Sequence, residues 1–294
     1  MRVAVIGLGA MGAAVAANLV RRGFEVTGFD PRTAARDALA AAGGAPAATA
    51  QAAAAGARVV VTFVVNAAQV RDAVLGEGGA AHGMADDSVL VQCATVPATF
   101  ITDLAAQMAA RGLPVLDAPV SGGVLRAADG TLTVMMSGDP QAKARARPVV
   151  EAIGQSVHDF GDTAGAGSTV KTINQLLCGV HLAVLGEALA LGRRAGLDPA
   201  RLLEVYGGSA AASWMLNDRG PRALQDTPPT RSAVDIFVKD LGLVLDTGRA
   251  LTFPLPMSAA AHQLFLAMSA QGLGNLDDSQ LWRAYPPPPK TPTA

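Results

Sequence analysis

The chain has 294 residues, a formal net charge of −1, 50% hydrophobic residues and only 16% charged ones. That length allows two domains and a large core, and a near-neutral chain with no Lys/Arg run excludes nucleic acid as the main partner. Two cysteines, Cys93 and Cys178, and four isolated His residues exclude a disulfide framework and offer no metal-ligand spacing, so no metal is expected.

Residues 2–6, Arg-Val-Ala-Val-Ile, read as a short apolar strand, and the Ala-rich run 13–19 reads as a helix. Between them stands Gly7-Leu8-Gly9-Ala10-Met11-Gly12, a G-x-G-x-x-G motif in the strand-to-helix context that gives it meaning. Gly7 allows the tight turn, Gly9 lets the backbone approach a pyrophosphate, and Gly12 lets the helix pack closely on the sheet. The N–H groups at the helix start, with its positive dipole end, are suited to phosphates. Met1-Arg2 and the apolar run superficially resemble a signal peptide. The glycine spacing accounts for the run better, and the only other long apolar stretches are Ala-rich and read as helices of a soluble protein, so a cytoplasmic location is expected.

Residues 24–29 form a second strand candidate, closed by Asp30-Pro31. Asp30 lies 18 residues past Gly12, close to where an acid meets the adenosine ribose. A carboxylate there accepts from both ribose hydroxyls and repels a 2′-phosphate, which favours NAD over NADP. Arg32 points the other way, since an Arg near this strand end can bind a 2′-phosphate.

Strand candidates continue at 58–65, 88–92, 114–117 and 131–137, with helices expected at 33–42, 68–74, 98–111 and 140–153. The alternation implies an α/β fold, a Rossmann doubly wound parallel sheet. Beyond residues 161–167 strand signals fade. The segment 168–195 has no proline and reads as one long helix, followed by helices at 199–207, 233–251 and 258–270. The expected organisation is a nucleotide-binding domain over 1–163, an all-helical C-terminal domain over 164–284 for substrate and oligomerisation, and a disordered Pro-rich tail over 285–294.

Lys171 is the central candidate for chemistry. It follows Gly165-Ala166-Gly167 near the start of the long helix, with Asn174 and Gln175 on the same face. A hydride transfer needs a proton donor or acceptor at the alcohol oxygen, and a Lys serves if desolvation, a nearby positive charge or the helix N-terminus lowers its pKa. The alternative is a solvated surface Lys. The run Asp117-Ala-Pro-Val-Ser-Gly-Gly123 follows a strand and belongs at the carboxyl edge of the sheet. There Ser121, Gly122 and Gly123 can offer a hydroxyl and backbone N–H groups to a small carboxylate, or form an ordinary loop. Thr95 and Asn66, each after a strand, face the cofactor cleft or serve as turn or cap residues. Lys239 can reach back to cofactor or substrate, or remain an exposed helix Lys. His181 lies about 15 Å along the helix from Lys171, too far for shared chemistry. Trp214 and Phe237 wall the pocket or are core.

Four blocks in order resemble the β-hydroxyacid dehydrogenase family, which includes 3-hydroxyisobutyrate dehydrogenase and tartronate semialdehyde reductase. They are Gly7-Leu-Gly-Ala-Met-Gly12, Asp117-Ala-Pro-Val-Ser-Gly-Gly123, Gly167-Ser-Thr-Val-Lys-Thr-Ile-Asn174 and Lys239-Asp-Leu-Gly-Leu243. The resemblance spans nearly the whole chain. It implies Lys171 as general acid/base and Asn174 as the residue that positions substrate. It also implies carboxylate binding at Ser121, Gly122 and Gly123, cofactor contacts from Thr95 and Lys239, and a homodimer or homotetramer built through the helical domain. Gln175 departs from the family's second Asn, and Val64-Val65-Asn66-Ala67 from its usual Leu-Pro. Both departures look like the branch of L-threonate dehydrogenases, which oxidises the C2 hydroxyl of a four-carbon sugar acid with NAD. So do Asn174-Gln-Leu-Leu-Cys-Gly-Val-His181, Ser213-Trp-Met215 and Ser232-Ala-Val-Asp-Ile-Phe-Val-Lys-Asp240. The other readings are a 3-hydroxyisobutyrate or tartronate semialdehyde enzyme, a non-catalytic dinucleotide-binding sensor, and an imine reductase, which shares the architecture but is disfavoured by Lys171.

Overall fold

The structure, a computed structural model, describes residues 1–286. The first part of the chain runs β1 (Arg2–Ile6), α1 (Ala10–Arg21), β2 (Glu25–Phe29), α2 (Thr33–Ala41), β3 (Ala45–Pro46), α3 (Ala50–Ala54), β4 (Val59–Thr62), α4 (Ala67–Leu75), β5 (Val89–Gln92) and α5 (Ala98–Ala109). It continues with β6 (Val115–Asp117), β7 (Val120–Ser121), α6 (Gly123–Asp129), β8 (Leu132–Gly138), α7 (Pro140–Ile153) and β9 (Gly154–Asp159). The later part is helical: α8 (Ala166–Arg194), α9 (Pro199–Gly207), α10 (Trp214–Ala223), α11 (Val234–Ala250), α12 (Pro256–Ala270) and a 3-10 turn, Asp278–Ala284.

The strand order is β3-β2-β1-β4-β5-β6-β8-β7, with β9 beside β8. Strands β1 to β6 are mutually parallel. Their continuous apolar runs follow from burial on both faces, and alternation along each strand splits them between two cores. Val3, Val5, Val59, Val61, Val89 and Val91 pack with α1 and α7. Ala4, Ile6, Val60 and Leu90 pack with α3, α4 and α5. These two layers are the doubly wound sheet expected from the sequence.

The strands depart from expectation. The strand expected over 58–65 ends at Thr62, because the next residues run against the turn at Gly7 and Asn66 then starts α4. The sheet is also not parallel throughout, since β8 is antiparallel to both β6 and β7. Helix α6, with seven residues, spans only about 10 Å. It cannot return the chain to the far edge of the sheet, so β8 starts at the carboxyl edge and runs back.

By contacts the chain divides into two compact units, Met1–Lys171 and Thr172–Ala294. The division falls inside α8, beyond the 163/164 boundary expected from the sequence. The second unit has its own core: Leu182, Leu185 and Leu189 of α8 with Met215, Phe237, Leu241, Phe265 and Leu281. Helix α8 is long and apolar enough to cross a membrane by length and composition, but its inner face belongs to this core. Tyr285, expected to open a disordered tail, instead has its hydroxyl 3.2 Å from the Glu187 carboxylate. The rest of that expected tail, 287–294, lies outside the described residues.

Candidate active site

Strand register aligns the carboxyl ends of the sheet in the first unit. Ile6 pairs with Phe29 and with Thr62, Thr62 with Gln92, and Gln92 with Asp117. The glycine loop 7–12, Asp30, Asn66 and Thr95 therefore all leave from one edge. Ser121 pairs with Thr133, while Ser137 further along β8 pairs with Asp117, so Ser121 stands about 13 Å beyond that edge along the strand. Strand β1 lies between β2 and β4, the point where crossovers diverge and open α/β sheets form their ligand crevice.

The three glycines meet different constraints. Gly7 has φ +91°, and a Cβ there would lie 2.5 Å from the Phe63 carbonyl oxygen. A Cβ on Gly12 would lie 1.9 Å from the carbonyl oxygen of Gly7. A Cβ on Gly9 would meet nothing within 4 Å, so Gly9 borders open space. Gly9 is also the N-cap of α1 and provides no side-chain cap, which leaves the N–H groups of the first turn, with the helix dipole, suited to a diphosphate. Ala10 is exposed at this helix start and Met11 is half-buried against the core. Leu8 is buried, and its N–H donates to the Asp30 carboxylate at 2.9 Å, tying the loop to the end of β2. Burial raises the Asp30 carboxyl, but hydrogen bonds from Arg32 and Leu8 outweigh it and hold the group below its ordinary value. These features fit an NAD adenosine diphosphate.

Asn66 is the N-cap of α4, its side-chain oxygen accepting from the Gln69 N–H at 2.9 Å. It thus caps the helix that follows, one of the roles the sequence allows. Thr95 is half-buried after β5, in a loop shaped by the buried Gln92, whose amide accepts from the Ala94 N–H at 2.5 Å and donates to the Ala94 carbonyl at 3.0 Å. Gly122 has φ +134° and Gly123 φ +73°; they open α6 without a side-chain cap, and a Cβ on Gly123 would meet nothing within 4 Å.

Helix α8 starts against the sheet. Asp117, 0% exposed, accepts at Oδ1 from the Ser168 hydroxyl (2.7 Å) and at Oδ2 from the N–H groups of Ser168 (2.8 Å) and Gly165 (3.0 Å). The Ser137 hydroxyl lies 3.3 Å from the same Oδ2 and accepts from the Gly167 N–H at 2.9 Å. Gly167 has to be glycine, because a Cβ would lie 2.4 Å from the Met135 carbonyl oxygen. Burial raises the Asp117 carboxyl against the pull of these hydrogen bonds. The helix N-terminus, expected to act on Lys171, is thus occupied by the Asp117 carboxyl of the sheet. Lys171 lies in the second turn of α8 and is 7% exposed, not solvated.

In the second unit, Asn174 donates to the Gln175 side-chain oxygen at 3.0 Å, and Gln175 donates to Asp240 at 2.5 Å. Lys239 contacts the other Asp240 oxygen at 2.5 Å. Gln175 therefore fills the departure from the family pattern by tying α8 to α11. Phe237 is core, stacked on Phe265 with centroids 5.1 Å apart, whereas Trp214 is 49% exposed.

Comparison with known proteins decides the family. Residues 2–161 match the NAD binding domain of 6-phosphogluconate dehydrogenase, and residues 165–285 match the domain described as NAD-binding of NADP-dependent 3-hydroxyisobutyrate dehydrogenase. The chain is 48% identical over 284 residues to L-threonate dehydrogenase of Cupriavidus necator, covering 97% of this chain and 96% of that protein. The chain belongs to the 3-hydroxyisobutyrate dehydrogenase-like family of β-hydroxyacid dehydrogenases. Within this family it is also 40% identical to the Escherichia coli K12 L-threonate dehydrogenase, covering 96% of this chain and 94% of that one. A crystal structure of 3-hydroxyisobutyrate dehydrogenase from Salmonella typhimurium superposes with a TM-score of 0.92 at 42% identity, covering 97% of this chain and 100% of the other. As a β-hydroxyacid dehydrogenase the protein is an NAD-dependent oxidoreductase that acts on the CH–OH group of a small hydroxy acid.

Sequence reasoning did not single out the side chains that build the site from beneath: Gln92, Asp117, Ser137 and Ser168. The available signal was a polar residue closing an otherwise apolar strand, as Gln92 and Asp117 do.

Proposed function

We propose that this enzyme oxidises the C2 hydroxyl of a small polyhydroxy acid, L-threonate, to the 2-oxo acid with NAD. The observation that carries the reading is Lys171, buried on a helix whose start is fastened to the carboxyl end of β6, with Asn174 one turn further on. The identity to L-threonate dehydrogenases supports the choice of substrate.

NAD, when bound, accepts the hydride from C2. The residues divide the remaining work. The N–H groups at 9–12 hold the diphosphate, with Leu8 packed beneath them, and Asp30 accepts from the ribose hydroxyls. Asn66, Thr95 and Lys239 complete the cofactor contacts. Ser121, Gly122 and Gly123 dock the substrate carboxylate through a hydroxyl and backbone donors. Asn174 orients the hydroxyl, and Lys171 takes its proton as the C–H bond breaks. Residues 1–163 bind the cofactor and, through 121–123, the substrate carboxylate, while residues 164–284 supply Lys171, Asn174 and Lys239 and the assembly surface.

The exposed Ile173, Leu177, Val184 and Leu191 follow one stripe of α8, at 49–68% exposure. This stripe supports a homodimer or homotetramer formed through the helical part, working in the cytoplasm; light scattering in solution tests the assembly. The likeness to a 3-hydroxyisobutyrate dehydrogenase structure favours that hydroxy acid as the second reading. The deciding experiment is NADH formation at 340 nm across a panel of hydroxy acids, with NAD and NADP in parallel. Turnover of L-threonate with NAD above all others is expected, and silence on every hydroxy acid overturns the proposal.

A further inference from the structure

We propose that Asp117 is a positioning residue for the reaction: its carboxylate sets the height and rotation of helix α8 and thereby places Lys171. The inference rests on the reading of Lys171 as the proton acceptor.

A helix start leaves its first N–H groups without intrahelical partners. A local Ser, Thr, Asp or Asn is the preferred cap for them. In α8 the cap comes from Asp117, at the end of β6, 51 residues away in sequence from Ser168. One carboxylate takes the N–H of Gly165, the N–H of Ser168 and the hydroxyl of Ser168. Ser137, from β8, joins this carboxylate and takes the N–H of Gly167. Two adjacent strands therefore grip the first turn at four points. Gly165, with φ +114°, and Gly167, with no room for a Cβ, let the backbone come close enough to be gripped. Thr102 adds a further tie, donating to the Ala164 carbonyl at 3.2 Å.

The grip governs Lys171 because Lys171 follows Ser168 by three residues, one turn up the same rigid helix. Sheet and helix start behave as one body, so the amine is registered to the same carboxyl edge that carries the glycine loop and Asp30. Displacement of a reacting group by about 1 Å can cost about 10²-fold in rate. A carboxylate suits the task because it is acceptor-only and every group facing it here is a donor. The charge itself is secondary. An Asn could turn its oxygen to the two N–H groups and its amide nitrogen to the Ser168 hydroxyl, which can rotate to accept.

The test compares Asp117→Ala, Asp117→Asn and Ser168→Ala with wild type and with Lys171→Ala, on L-threonate and NAD, with rates normalised to active sites by NADH titration. Asp117→Ala is expected to lower kcat about 10²-fold while the KM for NAD and the Kd for NADH stay within about threefold. Asp117→Asn should recover most of the loss, and Ser168→Ala should fall between. A merely structural role would reduce the number of NADH-binding sites and leave kcat per site unchanged. If Asp117→Ala or, should it not fold, Ser168→Ala retains kcat per site within about threefold of wild type while Lys171→Ala is inactive, the positioning role is overturned and the function stands. If Lys171→Ala itself turns over normally, the underlying reading has failed instead.

Discussion

Arg32 grips Asp30 with two prongs, Nε to Oδ1 at 2.9 Å and Nη2 to Oδ2 at 3.0 Å, while the Leu8 N–H also reaches Oδ2. The Arg32 side chain is 63% exposed and that of Asp30 only 7%, so the arginine is the partner that can leave at little cost. The ribose hydroxyls of NAD compete for the same two oxygens. Asp30→Ala is expected to raise the KM for NAD about tenfold and to relax rejection of NADP, because it removes both the acceptor and the repulsion of a 2′-phosphate. Arg32→Ala should leave the KM for NAD within about threefold. Initial rates with both cofactors check this, and an unchanged KM in Asp30→Ala would remove Asp30 from the cofactor site.

The glycine loop separates folding from binding. Gly12→Ala drives a methyl group into the Gly7 carbonyl and should disrupt the loop, lowering thermal stability and abolishing NADH binding together. In Gly9→Ala the added methyl meets no protein atom within 4 Å. Its cofactor-free melting temperature should therefore match wild type while NADH affinity falls at least about tenfold. Melting curves with and without NADH separate the two cases.

The second unit holds a buried ion network. Arg222 reaches Asp277 at 3.1 Å and Asp218 at 2.8 Å, and Arg219 reaches Asp278 at 3.0 Å. Removing one member leaves uncompensated buried charge, so Arg222→Ala should cost about 3–5 kcal/mol. Both tryptophans, Trp214 and Trp282, lie in this unit, and urea titration followed by their fluorescence reports on it directly.

Asp277 adds a pH signature. Burial raises its carboxyl, but the hydrogen bonds from Ser279, the Arg231 N–H and Arg222 outweigh burial and hold it below the ordinary value. A folded pKa below the unfolded one, about 3.9, means the stabilisation is complete above that pH and is lost as pH falls through the folded value. The stability difference between wild type and Asp277→Asn should be constant from about pH 7 to pH 5 and shrink below about pH 4. Tryptophan-monitored urea midpoints across that range check it.

Gln175 donates at 2.5 Å to Asp240, which is 2% exposed. Gln175→Ala removes a hydrogen bond to a buried carboxylate and should destabilise the second unit by about 1–3 kcal/mol, read by the same fluorescence assay.

Much of this was legible in the sequence because the physics was local. An apolar run of strand length, glycines at fixed spacing and an acid after the next strand identify β1, α1 and Asp30 without tertiary information. Helix α7, expected at 140–153, starts there in the structure, with Asp139 as its N-cap and Pro140 in its first turn. The antiparallel β8 was not legible, since strand direction depends on how short α6 is, not on the composition of β8. The cap on α8 was likewise hidden. Nothing local announces that Asp117 closes a helix starting at Ala166, and Ser168 resembles any helix serine until the two are folded together. For Asn66 the sequence leaves a cofactor-facing residue and a cap side by side, because a strand-end Asn and a helix N-cap look alike, and the fold shows its side-chain oxygen accepting from the Gln69 N–H.

The central claim is that Lys171 takes the substrate proton. The most direct measurement is the single-turnover rate of Lys171→Ala on L-threonate with NAD, beside its NADH dissociation constant. The account predicts a rate reduced about 10²–10⁴-fold with NADH affinity within about threefold of wild type. A rate within tenfold of wild type at intact NADH affinity would contradict it.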